Sequence, residues 1–483
     1  MRIVLDMQGA QTQSRFRGIG RYTLAFARAV VEERGEHDVH LVLNGLLSDS
    51  IQSVRSVFDG LLPADRIHVW TAPGPVQLIH SGNATRFAAA EMMREAFIES
   101  LNPDLIHMTS LFEGYVGDAV TSVGVYDKHT PVSVTLYDLI PLTNRDKYLS
   151  HNPSYEQYYL QKLEHLKSAA INLAISDFSR VEATALLDLD DRFVANKSSA
   201  ADERFRPMQY EEERVEQILK RLGIKRPFIL YTGGSDERKN LISLIKAYQK
   251  LPEPVYGRTQ LVFAGRMSLD FLAEMRSVRQ AQDRIVLTDF VSEEDLVALY
   301  NLCDCFVFPS WHEGFGLPVL EAMSCGAVVV AANAASVPEV LGATEALFDP
   351  FDVDDMSAKL RLALSDEGFR ERMKRHALSQ SKRFSWSATA RAAISAWESV
   401  VADRDQAEVV SRRPGNRNVD RHDQNDDSRA PDSVSDETYR LINALRDRDA
   451  IPSAAEEMLW LAKALHENGE AAPANNADAE IGG

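Results

Sequence analysis

Cysteine is scarce in this chain of 483 residues: there are three, Cys303, Cys305 and Cys325. Three cannot build the multi-bridge framework of a small secreted scaffold, and all sit in apolar runs, where a thiol packs as a small hydrophobe. No stretch approaches the roughly 20 apolar residues of a membrane-spanning helix. The opening MRIVLDMQGAQ has no charged region leading into a long apolar run, so no signal peptide is expected. Basic charge is in deficit, with 53 Lys and Arg against 71 Asp and Glu and a net charge of −18. That excludes a uniformly basic nucleic-acid binder, which needs positive surface to displace phosphate counterions. A Walker loop and a His/Cys cluster with metal spacing are missing too, and His312-Glu313 lacks the second histidine of a zinc-protease helix. Asp188-Leu189-Asp190 and Asp447-Arg448-Asp449 are triplets that an acid-rich chain produces freely. The expectation is a cytoplasmic protein, soluble or peripheral at a membrane, with no metal and no nucleic-acid partner.

What is present is strand–helix alternation. Arg2–Leu5, Val39–Leu43, Asp104–Met108, Val132–Leu136 and Ile171–Ile175 read as buried strands, with helical periodicity at Gly20–Glu32 and Ala88–Leu101. After Arg204-Phe205-Arg206-Pro207 the pattern restarts. Phe228–Thr232, Gln260–Ala264, Ile285–Leu287, Cys305–Phe308 and Ala327–Ala331 read as strands, and Asn240–Lys250, Asp270–Gln280, Glu293–Asn301 and Leu317–Ser324 as helices. The class is α/β: two doubly wound Rossmann-like domains, 1–208 and 209–385, facing across a cleft, with a helix over 386–402. Ligands of such sheets lie outside the carboxyl ends of the strands, hence in that cleft.

The tail differs from the body. After residue 402 there are 10 Lys and Arg against 18 Asp and Glu, so −8 of the −18 lies there. Residues 403–435 are rich in Arg, Asp, Asn and Ser and read as a disordered linker. Residues 436–483 turn amphipathic at Tyr439, Leu441, Ile442 and Leu445 and again over Met458–Leu461, interrupted at Pro452. Two short helices and a disordered end are expected, free to dock on the body, self-associate or bind a protein partner.

The strongest motif is Phe306–Val340, FVFPSWHEGFGLPVLEAMSCGAVVVAANAASVPEV. An apolar strand runs into a Gly-rich turn, Glu313-Gly314-Phe315-Gly316, and Leu317-Pro318 opens a helix, proline suiting its first turn. Glycines let the backbone approach a ligand, and free N–H groups at a helix start suit a diphosphate. Glu313 and Glu321 fall about 10 Å apart by helix rise, placed to accept hydrogen bonds from vicinal hydroxyls.

The spacing Glu313-x7-Glu321 within SWHEGFGLPVLEAMSCG resembles the signature of retaining family 4 glycosyltransferases of the GT-B fold. Arg17-Gly18-Ile19-Gly20-Arg21-Tyr22 is similar to that family's glycine-rich loop after the first strand. Gly233-Gly234-Ser235-Asp236-Glu237-Arg238-Lys239-Asn240 is similar to its basic donor-diphosphate loop, and Phe384-Ser385-Trp386 to its segment crossing back onto the first domain. The resemblance covers roughly residues 1–400. It implies that Glu321 binds the nucleotide ribose and that Glu313 contacts the donor sugar. Gly314, Phe315, Gly316 and Leu317 would lie along sugar and phosphate, and Arg238 and Lys239 would neutralise the departing diphosphate. Gly18, Gly20 and Gly233 complete the donor-binding set, and Asp138 joins the catalytic one. Arg180 would face the cleft. One departure stands out: Tyr137-Asp138 occupies a place where many relatives carry His-Asp, so a histidine there cannot serve as base.

The sequence thus reads as a retaining, metal-independent glycosyltransferase without a cofactor. Ser110-Leu111-Phe112-Glu113-Gly114 and Tyr137-Asp138-Leu139-Ile140-Pro141-Leu142 look most like bacterial mannosyltransferases of surface-polysaccharide assembly. GDP-mannose is therefore the first donor, with UDP- or dTDP-sugars behind it. The acceptor is a glycan or polyprenyl-linked glycan at the inner membrane face. Two alternatives remain: a nucleotide-sugar epimerase on the same fold, and a non-catalytic scaffold acting through the C-terminal helices.

Overall fold

The computed structural model describes residues 1–16, 18–277 and 284–412, with side chains in the last helix as far as Arg404. Its apolar runs form two parallel sheets. The first holds β1 (Arg2–Asp6), β2 (Asp38–Asn44), β3 (Ile67–Trp70), β4 (Leu105–Met108), β5 (Val132–Leu136), β6 (Ile171–Ala174) and β7 (Val194–Asn196) in the order β3-β2-β1-β4-β5-β6-β7. The second holds β8 (Phe228–Thr232), β9 (Gln260–Ala264), β10 (Ile285–Leu287), β11 (Cys305–Phe308), β12 (Val329–Ala332) and β13 (Leu347–Phe348) in the order β10-β9-β8-β11-β12-β13. Every residue of β8 and β11 is buried, which is why these strands are continuously apolar rather than alternating. The edge strands β3, β7, β10 and β13 have four, three, three and two residues.

In each sheet one pair of neighbours, β1 with β4 and β8 with β11, is reached by crossovers running in opposite directions. The loops leaving such a pair diverge and open a crevice at the carboxyl edge. Around these crevices lie α1 (Gly18–Glu33), α2 (Ala84–Glu99), α3 (Pro153–Lys167), α4 (Asp177–Leu187), α5 (Leu241–Gln249), α6 (Glu293–Leu302), α7 (Leu317–Ser324) and α8 (Val337–Leu341). Helix α4 begins where the Ser176 side chain accepts from the Ser179 N–H.

A buried charge network fastens the long segment between β4 and β5. Arg94 on α2 pairs with Asp6 at 2.6 Å, both nearly inaccessible. Glu95 accepts the N–H groups of Tyr126 (2.6 Å) and Asp127 (3.1 Å), and Lys162 on α3 pairs with Glu91 at 3.3 Å. Pairing removes the large penalty of burying each charge alone.

The last helix, α9 (Trp386–Arg412), lies against the first sheet. Trp397 is fully buried, donates its indole N–H to Ser133 Oγ on β5 (2.9 Å) and meets the rings of Phe26 and His107. The helix runs ten residues beyond the expected limit at 402, because each added turn forms another backbone hydrogen bond and the sequence holds no Pro or Gly before Pro414. Both sheets and most of α9 belong to one compact unit, Met1–Val409. The rest of the expected linker and the helical tail lie outside the described residues. Among those described, no helix is long and apolar enough to cross a membrane.

Candidate active site

Two loops at the β8–β11 crevice build the centre. After β8 the chain turns through Gly233 (φ +136°) and closes a short 3₁₀ turn, Glu237–Lys239, capped by Asp236. After β11 it passes Pro309 to Gly316, whose φ of +95° starts α7. The loops are stitched through Arg238: Ser310 Oγ and the Trp311 N–H each donate to its carbonyl oxygen (3.0 Å), and its guanidinium donates to the His312 carbonyl (2.8 Å).

This stitching brings Arg238 and Lys239 to Glu313. Oε1 of Glu313 lies 2.9 Å from Arg238 Nη1, 2.5 Å from Lys239 Nζ and 2.5 Å from Ser310 Oγ, while Oε2 has no protein partner among the described residues. Burial opposes the carboxylate charge, but Lys239 and Arg238 outweigh it and hold the carboxyl below its usual range. Arg238 also lies 3.6 Å from Asp236, so the two cations are shared between carboxylates where a sheet of this type receives its ligand.

Asp138, at the end of β5, faces this centre from the first sheet. Its Oδ1 accepts the Ile140 N–H at 3.1 Å, so it also closes the turn. Burial raises its carboxyl above the ordinary value, and nearby Arg238 partly opposes the rise. Tyr137 donates its hydroxyl to the Thr109 carbonyl (3.0 Å) and packs edge-on against Tyr22 at 5.3 Å. Burial pushes its phenol well up, so it serves as a neutral donor.

Glu321, on α7, occupies a separate compartment. Oε2 accepts the Tyr300 hydroxyl (2.9 Å), which lies 2.8 Å from Thr232 Oγ1. Burial raises this carboxyl, with nearby Arg21 opposing. Glu321 lines a narrow pocket with Gly18, Arg21, Leu317 and Trp386, and the buried Trp386 indole N–H has no partner there.

The glycines divide by role. Gly18 has open space at its Cβ position, as a ligand approach needs. At Gly20 a Cβ would lie 2.2 Å from Arg15 Cα, so chain packing by itself requires a glycine here. Phe315 turns its ring into the interior against Phe384 (5.7 Å), leaving only its backbone to the cleft. Arg180 does not serve the centre: it pairs with Asp191 (2.9 Å) and Asp177 (3.5 Å) on its own side. Arg17 lies outside the described residues.

Several cleft residues make contacts that their place in the sequence does not announce. Ser179 Oγ on α4 lies 3.0 Å from the carbonyl oxygens of both Tyr137 and Gly314. Ser336 Oγ donates to the Glu313 carbonyl (2.9 Å). His312, dismissed as half of a metal motif, sits 2.9 Å from Glu182 on α4 and edge-on to Phe178. Tyr300 looked like one more apolar position of α6. Partners of this kind come from other elements, so spacing along the chain does not reveal them.

Residues 215–380 match the family described as "Glycosyl transferases group 1". That match spans about a third of the chain and takes in the whole second sheet, β8 to β13. The whole chain is 36% identical over 421 residues to the serotype-specific mannosyltransferase WbdA of Escherichia coli, covering 85% of this chain and 50% of that protein. It is also 36% identical over 242 residues to the O-antigen chain mannosyltransferase B of Escherichia coli, covering 49% and 63%. The chain thus spans about half the length of the first curated relatives it matches. In three dimensions it is similar to a glycosyltransferase from Rickettsia africae, with a TM-score of 0.58 at 15% identity over 83% of this chain and 98% of that one. The fold is GT-B, and Arg238, Lys239, Glu313 and Glu321 all stand in the matched segment.

Proposed function

We propose that this protein transfers mannose from GDP-mannose to a glycan or polyprenyl-linked glycan, with the anomeric configuration retained. The observation that carries the reading is the pairing of Arg238 and Lys239 with Glu313 at the carboxyl edge of the second sheet. In transfer the acceptor oxygen bonds to the sugar's anomeric carbon and the bond to the diphosphate oxygen breaks. A leaving-phosphate oxygen takes the acceptor's proton. Negative charge grows on that phosphate, so fixed cations bind the transition state more tightly than the ground state. Because two side-chain cations already stand there, the reading requires neither metal nor cofactor. Oε2 of Glu313 is available to a sugar hydroxyl, and Glu321 with the free Trp386 N–H suits a ribose and its nucleoside. Mannose is favoured over other sugars by the two mannosyltransferase relatives.

The test is binding of a nucleotide-sugar panel, with chelator present, to the wild-type protein and to Glu321→Ala and Arg238→Ala. Saturable binding of GDP-mannose, weakened on the order of tenfold or more by each change, is expected. A folded sample that binds none of the panel overturns the reading.

A further inference from the structure

A second cavity, of about 940 Å³, opens beside the centre. Its walls are the Ser235–Asn240 loop after β8 and the segment after β9 from Arg266 onward, with Lys147 of the first sheet's side and Trp311 at its rim. Helix α7 with Glu321 packs over β11 and β12, whereas this groove lies over β8 and β9. The two cavities therefore flank the Glu313 centre and share no lining residue.

We propose that this groove is the subsite for the sugar residues of a neutral oligosaccharide acceptor lying behind the reacting one. The inference rests on the proposed transferase reading, because a nucleoside in the Glu321 pocket leaves the opposite flank to the acceptor. Three observations favour a glycan. Trp311 packs against Phe351 at a tilt (centroids 5.7 Å apart, 35° between planes), and Phe351 is 74% exposed. A partly exposed aromatic pair beside a polar groove offers the flat apolar face that a pyranose ring covers, while the Trp311 indole N–H has no partner among the described residues and offers a donor to a hydroxyl. Second, three basic and four acidic side chains line the groove and nearly cancel, which suits an uncharged, hydroxyl-rich ligand and disfavours a polyanion. Third, the groove is preformed. The Ser268 N–H donates to Ser235 Oγ at 2.6 Å, and the strands' loops approach so closely that a Cβ at Gly265 would lie 2.2 Å from the Gly233 carbonyl oxygen. Its volume is near the top of the roughly 300–1,000 Å³ range of small-molecule sites, room for more than one sugar ring.

Trp311 is also the link to the chemistry. It stands two residues before Glu313, and its backbone N–H holds the Arg238 carbonyl (3.0 Å). A chain seated on its ring would lead directly to the cation pair.

The experiment uses the full chain and α-linked mannose oligosaccharides of one to four residues. Direct binding is followed by saturation-transfer NMR, and transfer by KM for each length, in the wild type, Trp311→Ala and Phe351→Ala. Phe351 is exposed, so its replacement leaves the fold intact even if Trp311→Ala does not. The expected result is tighter binding and lower KM with length in the wild type, with the tetramer's advantage reduced about tenfold in either variant. GDP-mannose affinity is the control. Donor binding without any length dependence, or with length dependence untouched by both changes, overturns the subsite and leaves the transferase reading standing. Tetramer binding lost in Phe351→Ala in a protein that takes no nucleotide sugar supports the subsite and overturns the donor assignment instead.

Discussion

Gly314, on the loop after β11, faces Tyr137, at the end of β5, so closely that a Cβ on Gly314 would lie 2.4 Å from the Tyr137 carbonyl oxygen. One residue belongs to each sheet, so the absence of a side chain here is a condition for closing the cleft. Gly314→Ala forces the backbones apart or holds the cleft open. Activity is expected to fall at least tenfold, about 1.4 kcal/mol, with the melting temperature nearly unchanged. Full activity in a folded Gly314→Ala protein would show that closure at this contact is not needed.

Lys239→Met removes the cation nearest Glu313 and leaves Arg238 and Ser310 on that carboxylate. The loss should fall on the transition state more than on donor binding. kcat is expected to drop roughly 10²–10³-fold, the size seen when one charge-stabilising donor is lost. Rapid-quench measurement of the transfer step checks this; an equal loss in donor affinity and none in kcat would place Lys239 in ground-state binding.

Glu339 on α8 accepts the Asp177 N–H at the start of α4 (3.2 Å), a contact between the two halves of the cleft. Burial, and then the like charge of Asp177, raises its carboxyl to about 7, with the N–H groups of Phe178 and Asp177 opposing. A raised value means that the closed arrangement is favoured with the proton on and loses stability as pH rises through about 7, because burial of the charge beside Asp177 outweighs the stronger N–H bonds to a carboxylate. kcat/KM should therefore decline from pH 6 to 8. Glu339→Gln should flatten that limb, and Asp177→Asn should move its midpoint lower. A limb unmoved by both changes assigns the decline to another group.

His165 and His107 are buried in the first sheet's half. Burial lowers His165 to about 4, and lowers His107 well below its usual value with Lys197 adding to the effect. Here the unfolded chain binds more protons than the folded one, so stability falls as pH drops below about 6.5 toward 4. Each proton taken up costs about 1.4 kcal/mol per pH unit in that window. Urea midpoints at pH 7 and pH 5 check the slope, which should be shallower in His165→Asn, where an amide oxygen can still accept the Val123 N–H.

Much of the fold was legible because buried parallel strands have no solvent face and must be apolar throughout. Phe228–Thr232, Gln260–Ala264, Ile285–Leu287 and Cys305–Phe308 stand in the structure at the limits read from the sequence. Strand β3 was missed because His68 interrupts its apolar run, and β7 and β13 because only two apolar residues stand together in each strand. The Glu313–Glu321 spacing, the glycine turn and the Arg238-Lys239 pair were likewise readable, since each is a local pattern on one loop or helix.

Tertiary structure decided the rest. Sequence placed Gly20 in a ligand loop, and only the fold shows Ser14 and Arg15 packed against it. It gave Glu313 and Glu321 as a pair; folding put one between two cations and the other under Tyr300. The contacts of Gly314 with Tyr137, of His312 with Glu182 and of Trp397 with Ser133 join residues 130 to 264 positions apart. Local chemistry fixes what a segment can become and what its side chains can bind. Which of them meet is set by burial across the whole chain, and no short stretch of sequence contains that information.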